Sequence, residues 1–315
     1  MSRIRVLSYN VRYDNRHDGH DAWHARRDGV VDLVRFHRPD VVGFQEPLPR
    51  QRADLRERLP EYEFLGRGRK RDGDGEGCPI GVRTDRWRPV DDGTFWLSET
   101  PAEPSVGWDA AHPRIATWAR IRPRAETDGA APPADAALLV VNTHLDHVGA
   151  RARRESARLL RERTADLAAG GAGSGDASRD GATDGSGRLP RVLVGDFNCT
   201  AGSEPHRILT GAGRGADGAS AERTDDALSG RTGDGSAGGP DEDRDGRFDD
   251  AAAAAVRHGP RTSLTDFSRL IDGRRIDHVL VSSGIEVEAF ATLADRDDRG
   301  RYPSDHLPVL ARLRP

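Results

Sequence analysis

Lysine is almost absent from this 315-residue chain. Lys70 is the only one, although Lys and Arg together number 48 against 52 acidic residues, for a net charge of -4. The positive charge is therefore guanidinium, a group suited to phosphate, but it is scattered along the chain, as a coding bias toward Arg, Ala, Gly and Asp would leave it. Neither the balance nor the distribution is that of a strongly basic domain holding nucleic acid chiefly by charge. Cysteine is scarce too: Cys78 and Cys199 are too few for a disulfide framework or a thiolate metal site, and free thiols in a reducing compartment are expected. No apolar run is long enough to cross a membrane, and the opening MSRIRVLSYN lacks the basic start, apolar stretch and small-residue cleavage site of a secretory signal. These absences lead us to expect a cytoplasmic protein with no membrane span.

The most informative stretch present is RVLVGDFNC, Arg191 to Cys199. Val192, Leu193 and Val194 read as a strand buried on both faces. Gly195 lets the backbone turn or approach a ligand, and a period of two places Asp196 and Asn198 on one side. An ionised carboxylate beside a carboxamide can deprotonate and aim a water for phosphoester hydrolysis. Taken alone, Asp-Phe-Asn is equally a pair of turn residues opening a loop.

Further along the chain, Ile4 to Tyr9 reads as a strand ending at Asn10, followed by a polar loop with His17, His20 and His24 that lacks helical zinc-site spacing. Trp23 to Arg38 fits an amphipathic helix stopped by Pro39, and Val41 to Phe44 a second buried strand. That strand ends in Gln45-Glu46, where a carboxylate either holds a hard cation or merely opens the helix from Leu48 to Leu59. Arg67 to Arg71 and the following DGDGEG read as a loop of little net field. Ile80–Val82, Trp87–Val90, Thr94–Leu97 and Thr117–Ile121 read as a meander. Arg114 before its last strand is either a phosphate contact or a salt-bridged structural residue. Ala137 to Asn142 is a strand leading into THLDH, whose alternation puts Asn142, His144 and Asp146 on one side. His144 can donate to a phosphoryl oxygen or be a satisfied core histidine. A helix from Arg151 to Leu167 then leads back to Val192, in strand–helix–strand order.

The segments 168–187 and 211–247 are too poor in large apolar residues to form a core and read as insertions. The Ala-rich run at 251–256 is helical in propensity. Near the end, RIDHVLVS is a strand with Asp277 opposite His278, and Asp305-His306 precedes a closing strand, Val309 to Leu313. There an adjacent acid and imidazole can divide two roles, one holding metal and one meeting the phosphoryl group.

Taken in order, YN at 9–10, QE at 45–46, NTHL at 142–145, GDFN at 195–198, RIDHVLVS at 275–282 and SDHLPV at 304–309 resemble the endonuclease/exonuclease/phosphatase superfamily. RYDNRHDGHDAWHARRDGVVDLV, GTFWLSETP and GWDAAHPRIATWARI are similar to a bacterial branch of metal-dependent hydrolases without an assigned substrate. The resemblance implies a single domain over 1–315, an α/β fold of four layers with two mixed β-sheets face to face and helices outside. It also implies that Asn10, Glu46 and Asp305 gather around Mg²⁺ or Mn²⁺. Asp196 and Asn198 would then activate and aim water, and His306, oriented by Asp277, would meet the phosphoryl oxygen with His144 on its other side. From the bacterial branch alone come Arg114, Asp146 and His147, on the substrate side. The expected activity is hydrolysis of a phosphate mono- or diester, by a monomer, on a small-molecule, lipid-derived or nucleic-acid substrate. A DNA or RNA nuclease is the alternative, weakened by the acidic charge. A catalytically silent binding module conflicts with the intact motifs, and a hydrolase built on Cys199 lacks an activating neighbour.

Overall fold

The computed structural model describes residues 3–124, 137–170, 188–211, 246–254 and 256–315. The first part of the chain runs β1 (Ile4–Asn10), α1 (Trp23–His37), β2 (Val41–Gln45), α2 (Pro49–Arg58), β3 (Tyr62–Leu65), β4 (Ile80–Arg83), β5 (Trp87–Trp96) and β6 (Ile115–Pro123). It continues through β7 (Leu138–His144), α3 (Ala150–Ala169), β8 (Arg191–Asp196), α4 (Glu204–Thr210), β9 (Phe248–Asp250), β10 (Arg257–His258), β11 (Asp277–Ser282), β12 (Glu286–Thr292) and β13 (Val309–Arg314).

These strands form a seven-stranded sheet, β10-β12-β13-β1-β2-β4-β3, and a six-stranded sheet, β5-β6-β7-β8-β11-β9. Both are mixed. At the centre of each lies a parallel pair, β1 with β2 and β7 with β8, joined through α1 and α3 respectively, because parallel neighbours need a crossover that a hairpin cannot supply. The inner faces share one core: Ile4, Val6, Val41 and Ile80 meet Leu138, Val140, Val192 and Val194. The outer faces are covered by helices. Leu7, Val42 and Phe44 pack with Val30, Val34 and Leu55 of α1 and α2, and Leu139, Val141 and Leu193 pack with Ala157, Leu160 and Leu209 of α3 and α4. The result is the four-layer α/β sandwich expected from the motifs.

Two glycines set how closely the layers approach. A Cβ on Gly43 would lie 2.6 Å from Val194 Cγ2 and 2.7 Å from Asn142 Cγ of the opposite sheet. Gly43→Ala is therefore expected to cost about 1–3 kcal/mol through overpacking, read as a lower midpoint in thermal or urea unfolding. Gly195, at φ 156°, approaches the neighbouring strand and not a ligand, since a Cβ there would sit 2.1 Å from Thr143 O.

Several local expectations change. The two strands expected at Trp87–Val90 and Thr94–Leu97 are one, β5, with a register shift between Pro89 and Asp91. The Ala-rich run at 251 forms only a short 3-10 turn over Ala251–Ala253, where Asp250 accepts the Ala252 N–H at 2.9 Å. The segment expected as an insertion from Ala168 begins late: α3 runs to Ala169 and Ala168 is in the core. Gly211 likewise ends α4 in the left-handed region. The remainder of both segments, 171–187 and 212–245, lies outside the described residues.

Candidate active site

The carboxyl ends of β1, β2, β7 and β8 converge, as parallel central strands in α/β sheets commonly do around a ligand crevice. Beneath the convergence Asn142 joins the two sheets. Its Nδ2 donates to Phe44 O and Pro79 O at 2.8 and 3.0 Å, and its Oδ1 accepts from Gln45 Nε2 at 2.7 Å. The sequence motifs at 45 and 142 thus meet as a buried cross-sheet clamp.

Above that clamp, β1 ends with Asn10 fully buried. Its Nδ2 donates to Glu46 Oε1 at 2.9 Å and to Asp196 Oδ2 at 3.0 Å, while its Oδ1 accepts from Arg12 N. Glu46 is further held by the Tyr13 N–H at 2.8 Å. Arg12 reaches across to Asp305 at 3.3 Å and to Asp18 at 3.1 Å, so the polar loop after β1 does border the site. His17, His20 and His24 remain exposed. Ser304 fastens the last motif to the first, its Oγ donating to Asn10 O at 2.7 Å.

Asp196 and Asn198 come together by a turn. Strand β8 stops at Asp196, and Asn198 enters the left-handed region at φ 47°, so its backbone N–H donates to Asp196 Oδ1 at 2.9 Å. The alternation expected through residue 198 does not operate. Arg12 and Glu46 also have positive φ, and such strained residues concentrate at functional sites. Asn198 Nδ2 donates to Leu145 O at 2.9 Å and lies 3.0 Å from His144 Nε2, which makes that ring nitrogen an acceptor. His144 is accordingly neutral: burial, with Arg114 and His306 nearby, holds it well below the usual histidine range.

His306 spans the two acids. Its Nδ1 is 2.9 Å from Asp277 Oδ2 and its Nε2 is 3.7 Å from Asp196 Oδ2. Burial opposes its charge, but Asp277 and Asp196 outweigh that and raise it well above the ordinary range. Asp196 is pushed up to about 7, chiefly by burial and further by Asp277, against the pull of His306. The centre therefore pairs a cationic imidazole with a carboxylate close to its working protonation point.

The donor set fits a hard divalent cation. Asn10, Glu46 and Asp305 offer only oxygen ligands, and burial followed by repulsion from Glu46 raises Asp305, a strain that a cation would relieve. Glu46, His144 and Asp196 place ligand atoms within 4.8 Å of one another, as do Asp196, Asp277 and His306. Asp305, the third expected ligand, lies outside both groups and pairs with Arg12 at 3.3 Å.

Arg114, Asp146 and His147 form one unit beside the centre. Arg114 is buried, with Nε 3.1 Å from Asp146 Oδ1 and Nη2 2.9 Å from His147 Nδ1. Asp146 lies past the end of β7, away from the alternation expected for it. Its Oδ2 accepts the N–H groups of Val148 and Gly149. Burial works against its ionisation, yet these backbone donors and Arg114 hold its carboxyl at about 2. Both oxygens are engaged, so Asp146 acts through Arg114.

A second cluster escaped the sequence reading. On the outer face of β11, Asp250 Oδ2 lies 3.0 Å from His206 Nε2 and 2.6 Å from Arg275 Nη2. Arg275 Nη1 donates to His278 Nδ1 at 3.0 Å, and His278 Nε2 donates to Cys199 O at 2.9 Å. Because Arg275 supplies the positive charge there, the cluster is a brace behind the Asp196–Cys199 turn and not a metal site. Its only sequence signal is the polar alternation of RIDH. Both cysteines are buried, and burial raises their thiols, Cys78 to about 12, which disfavours a thiolate nucleophile.

A family model described as Endonuclease/Exonuclease/phosphatase family matches residues 7–306. An endonuclease/exonuclease/phosphatase from Bacteroides vulgatus is 31% identical, with 100% of this chain and 99% of that chain covered and a TM-score of 0.76. A mannosyl-6-phosphatase from Bacteroides thetaiotaomicron is 30% identical, with 99% of each chain covered and a TM-score of 0.75. Danio rerio TDP2 bound to a single-stranded DNA product is 17% identical over 100% of each chain, with a TM-score of 0.62, and shares the fold. No curated protein sequence matches the chain.

Proposed function

The chain belongs to the Endonuclease/Exonuclease/phosphatase family, and from that premise we propose that its centre hydrolyses a phosphomonoester of a small alcohol with Asp196 as the base. Members of this family are phosphoester hydrolases that depend on a divalent metal. The observation that carries the assignment is the buried Asp196 carboxylate, held by Asn10 and the Asn198 N–H and facing His306.

Asn10, Glu46 and Asp305 would hold Mg²⁺ or Mn²⁺, which when bound neutralises charge on the phosphoryl and leaving oxygens. Asn10 would present Oδ1 after its amide turns over. Asp196 takes the proton of the attacking water, and Asn198, pinned at Leu145 O, keeps the Asp196 turn and the neutral His144 in register. His306, kept protonated by Asp277, donates from Nε2 to the phosphoryl oxygens, and the neutral His144, its Nε2 accepting from Asn198, flanks them from the other side. Arg114 and His147 line the substrate side, held by Asp146. Two free, buried cysteines support residence in a reducing cytoplasm. Among the described residues no helix is long and apolar enough to cross a membrane.

The test is an assay of purified protein on p-nitrophenyl phosphate, sugar phosphates, inositol phosphates, sphingomyelin, DNA and RNA, with Mg²⁺, Mn²⁺ or EDTA. Turnover of phosphomonoesters that EDTA abolishes is expected; nuclease activity without monoesterase activity would refute the reading. Glu46→Gln keeps the shape of the site but not its charge, so calorimetric titration should show metal affinity weakened by roughly tenfold or more. An unchanged affinity would remove Glu46 from the metal set.

A further inference from the structure

Arg26, in the first turn of α1, is fully buried, and no step of the hydrolysis described above uses it. A guanidinium has five N–H donors in a fixed fork, and here each of them finds a backbone carbonyl. Nε donates to Asp21 O at 2.8 Å, Nη1 to Val11 O and, at 3.3 Å, to Pro303 O, and Nη2 to Arg12 O at 2.6 Å and Tyr13 O at 3.5 Å. The rings of Trp23 and Phe267 close over it, with centroids 5.2 and 5.8 Å from Cζ. Since all five acceptors are carbonyls, the buried charge is balanced by dipoles and not by an acid, a costly arrangement. An apolar side chain would pack α1 against the loop without that penalty. What it could not do is fix several peptide planes at once.

Those planes belong to the two segments that carry the expected metal ligands. Val11, Arg12 and Tyr13 follow Asn10, and Pro303 lies two residues before Asp305, so Nη1 alone ties the end of β1 to the loop before β13. A second helix joins this clamp. Gln51 of α2, also fully buried, donates from Nε2 to Arg12 O at 2.9 Å and accepts at Oε1 from Asp14 N at 2.8 Å and Leu48 N at 3.1 Å. Leu48 is two residues past Glu46, so Gln51 fixes that strand end as well. Held from both helices, Arg12 stays in the left-handed region at φ 57°, which a non-glycine residue keeps only where its surroundings over-determine it.

The strained Arg12–Tyr13 pair touches all three ligands. Arg12 N donates to Asn10 Oδ1 at 2.9 Å, Tyr13 N donates to Glu46 Oε2 at 2.8 Å, and Arg12 Nη1 is 3.3 Å from Asp305 Oδ2. Any shift of this pair would therefore disturb one oxygen-bearing group on each ligand. Mg²⁺ tolerates little departure from ideal geometry, and partners that orient the ligands of a metal set its affinity nearly as much as the ligands do.

We propose that Arg26 is a positioning residue for the metal centre: from α1, and together with Gln51 from α2, it sets the spacing of Asn10, Glu46 and Asp305 and thereby the affinity for the divalent cation. The inference deepens the metal-dependent reading above and rests on it. All five donors of Arg26 are spent on carbonyls, so it makes no hydrogen bond to Asp196 or His306. Its loss should change how readily the centre takes up metal and not how fast the loaded centre turns over.

The experiment compares wild type, Arg26→Lys, Gln51→Met and, as a destabilised control, Asp250→Ala. Each is titrated calorimetrically with MnCl₂ well below its melting transition and assayed on p-nitrophenyl phosphate over rising Mn²⁺. Lysine keeps the charge but cannot span five carbonyls, and methionine approximates the volume of Gln51 without its amide. Both variants should bind Mn²⁺ roughly tenfold or more weakly, while kcat at saturating Mn²⁺ stays within about threefold of wild type. Asp250→Ala removes a brace attached to other segments, so it should melt earlier yet bind Mn²⁺ within about twofold of wild type. Unchanged Mn²⁺ affinity in the two clamp variants overturns the proposal. So does a kcat that stays depressed at saturating Mn²⁺, or an equal loss of affinity in Asp250→Ala, which would trace the effect to stability alone. Should Arg26→Lys not fold, Gln51→Met decides by itself, because it frees the same Arg12 carbonyl without disturbing a buried charge. A wild type that binds neither Mn²⁺ nor Mg²⁺ would instead strike the metal assignment on which the inference rests.

Discussion

Asp196→Asn is expected to lower kcat by roughly a thousandfold or more with KM nearly unchanged, since it removes an interaction made only as the water is deprotonated. The amide can still accept the Asn198 N–H that now reaches Oδ1 at 2.9 Å, so the turn should persist and the loss should be chemical. His306→Ala should cost a comparable factor, because it removes the one cation bridging Asp277 and Asp196. It also leaves a buried acid at Asp277 whose Oδ1 already lacks a partner among the described residues. The two groups act on one transition state, so the double variant should be little slower than either single one. Steady-state kinetics on p-nitrophenyl phosphate, with circular dichroism to show that each variant is folded, make the measurement. Near-normal turnover by Asp196→Asn would sink the assignment of the site.

The second large effect is on stability. Asp250→Ala deletes the acid shared by His206 and Arg275 and leaves a nearly buried guanidinium uncompensated, which typically costs about 3–5 kcal/mol. For a chain of this size the melting temperature should drop by on the order of ten degrees, while Asp250→Asn should recover part of the loss. The pH dependence has a definite sign. Burial alone would raise Asp250, but the hydrogen bond from His206 and the charge of Arg275 overwhelm it and hold the carboxyl far below its ordinary range. A depressed folded value means that the stabilisation is fully present above the unfolded value of about 3.9 and is lost as the pH falls below it. The gap between wild type and Asp250→Ala should therefore be wide at pH 5 to 7 and narrow below about pH 4. A gap that stays constant down to pH 3 would show that Asp250 does not carry the charge assigned to it.

The individual strands and the polar motifs at their ends were legible in the sequence as short-range patterns, and the four-layer sandwich followed from the family resemblance that those motifs carry. Buried parallel strands are continuous apolar runs such as Val192–Val194, and each run ends in a polar pair that a core would not tolerate unless used. Asn10, Glu46, Asp196, Asn198, Asp305 and His306 could be named before any contact was known because the motifs that hold them, taken in order, resemble those of the superfamily. What only the tertiary structure decided are the relations between segments distant in the chain. Asn198 joins Asp196 through a left-handed turn that alternation does not foresee. Asp146 is spent on Arg114 and the start of α3. Asp250, an unremarkable acid beside an alanine run, becomes the hub of a brace because β9 pairs with β11. Arg69 and Glu76, which read as a solvated loop, pair beside His144 only because the hairpin that carries them folds over it. Local pattern specifies which face of a strand is buried; the meeting of charged side chains depends on sheet pairing and on how closely the layers approach, and neither is encoded within any one stretch.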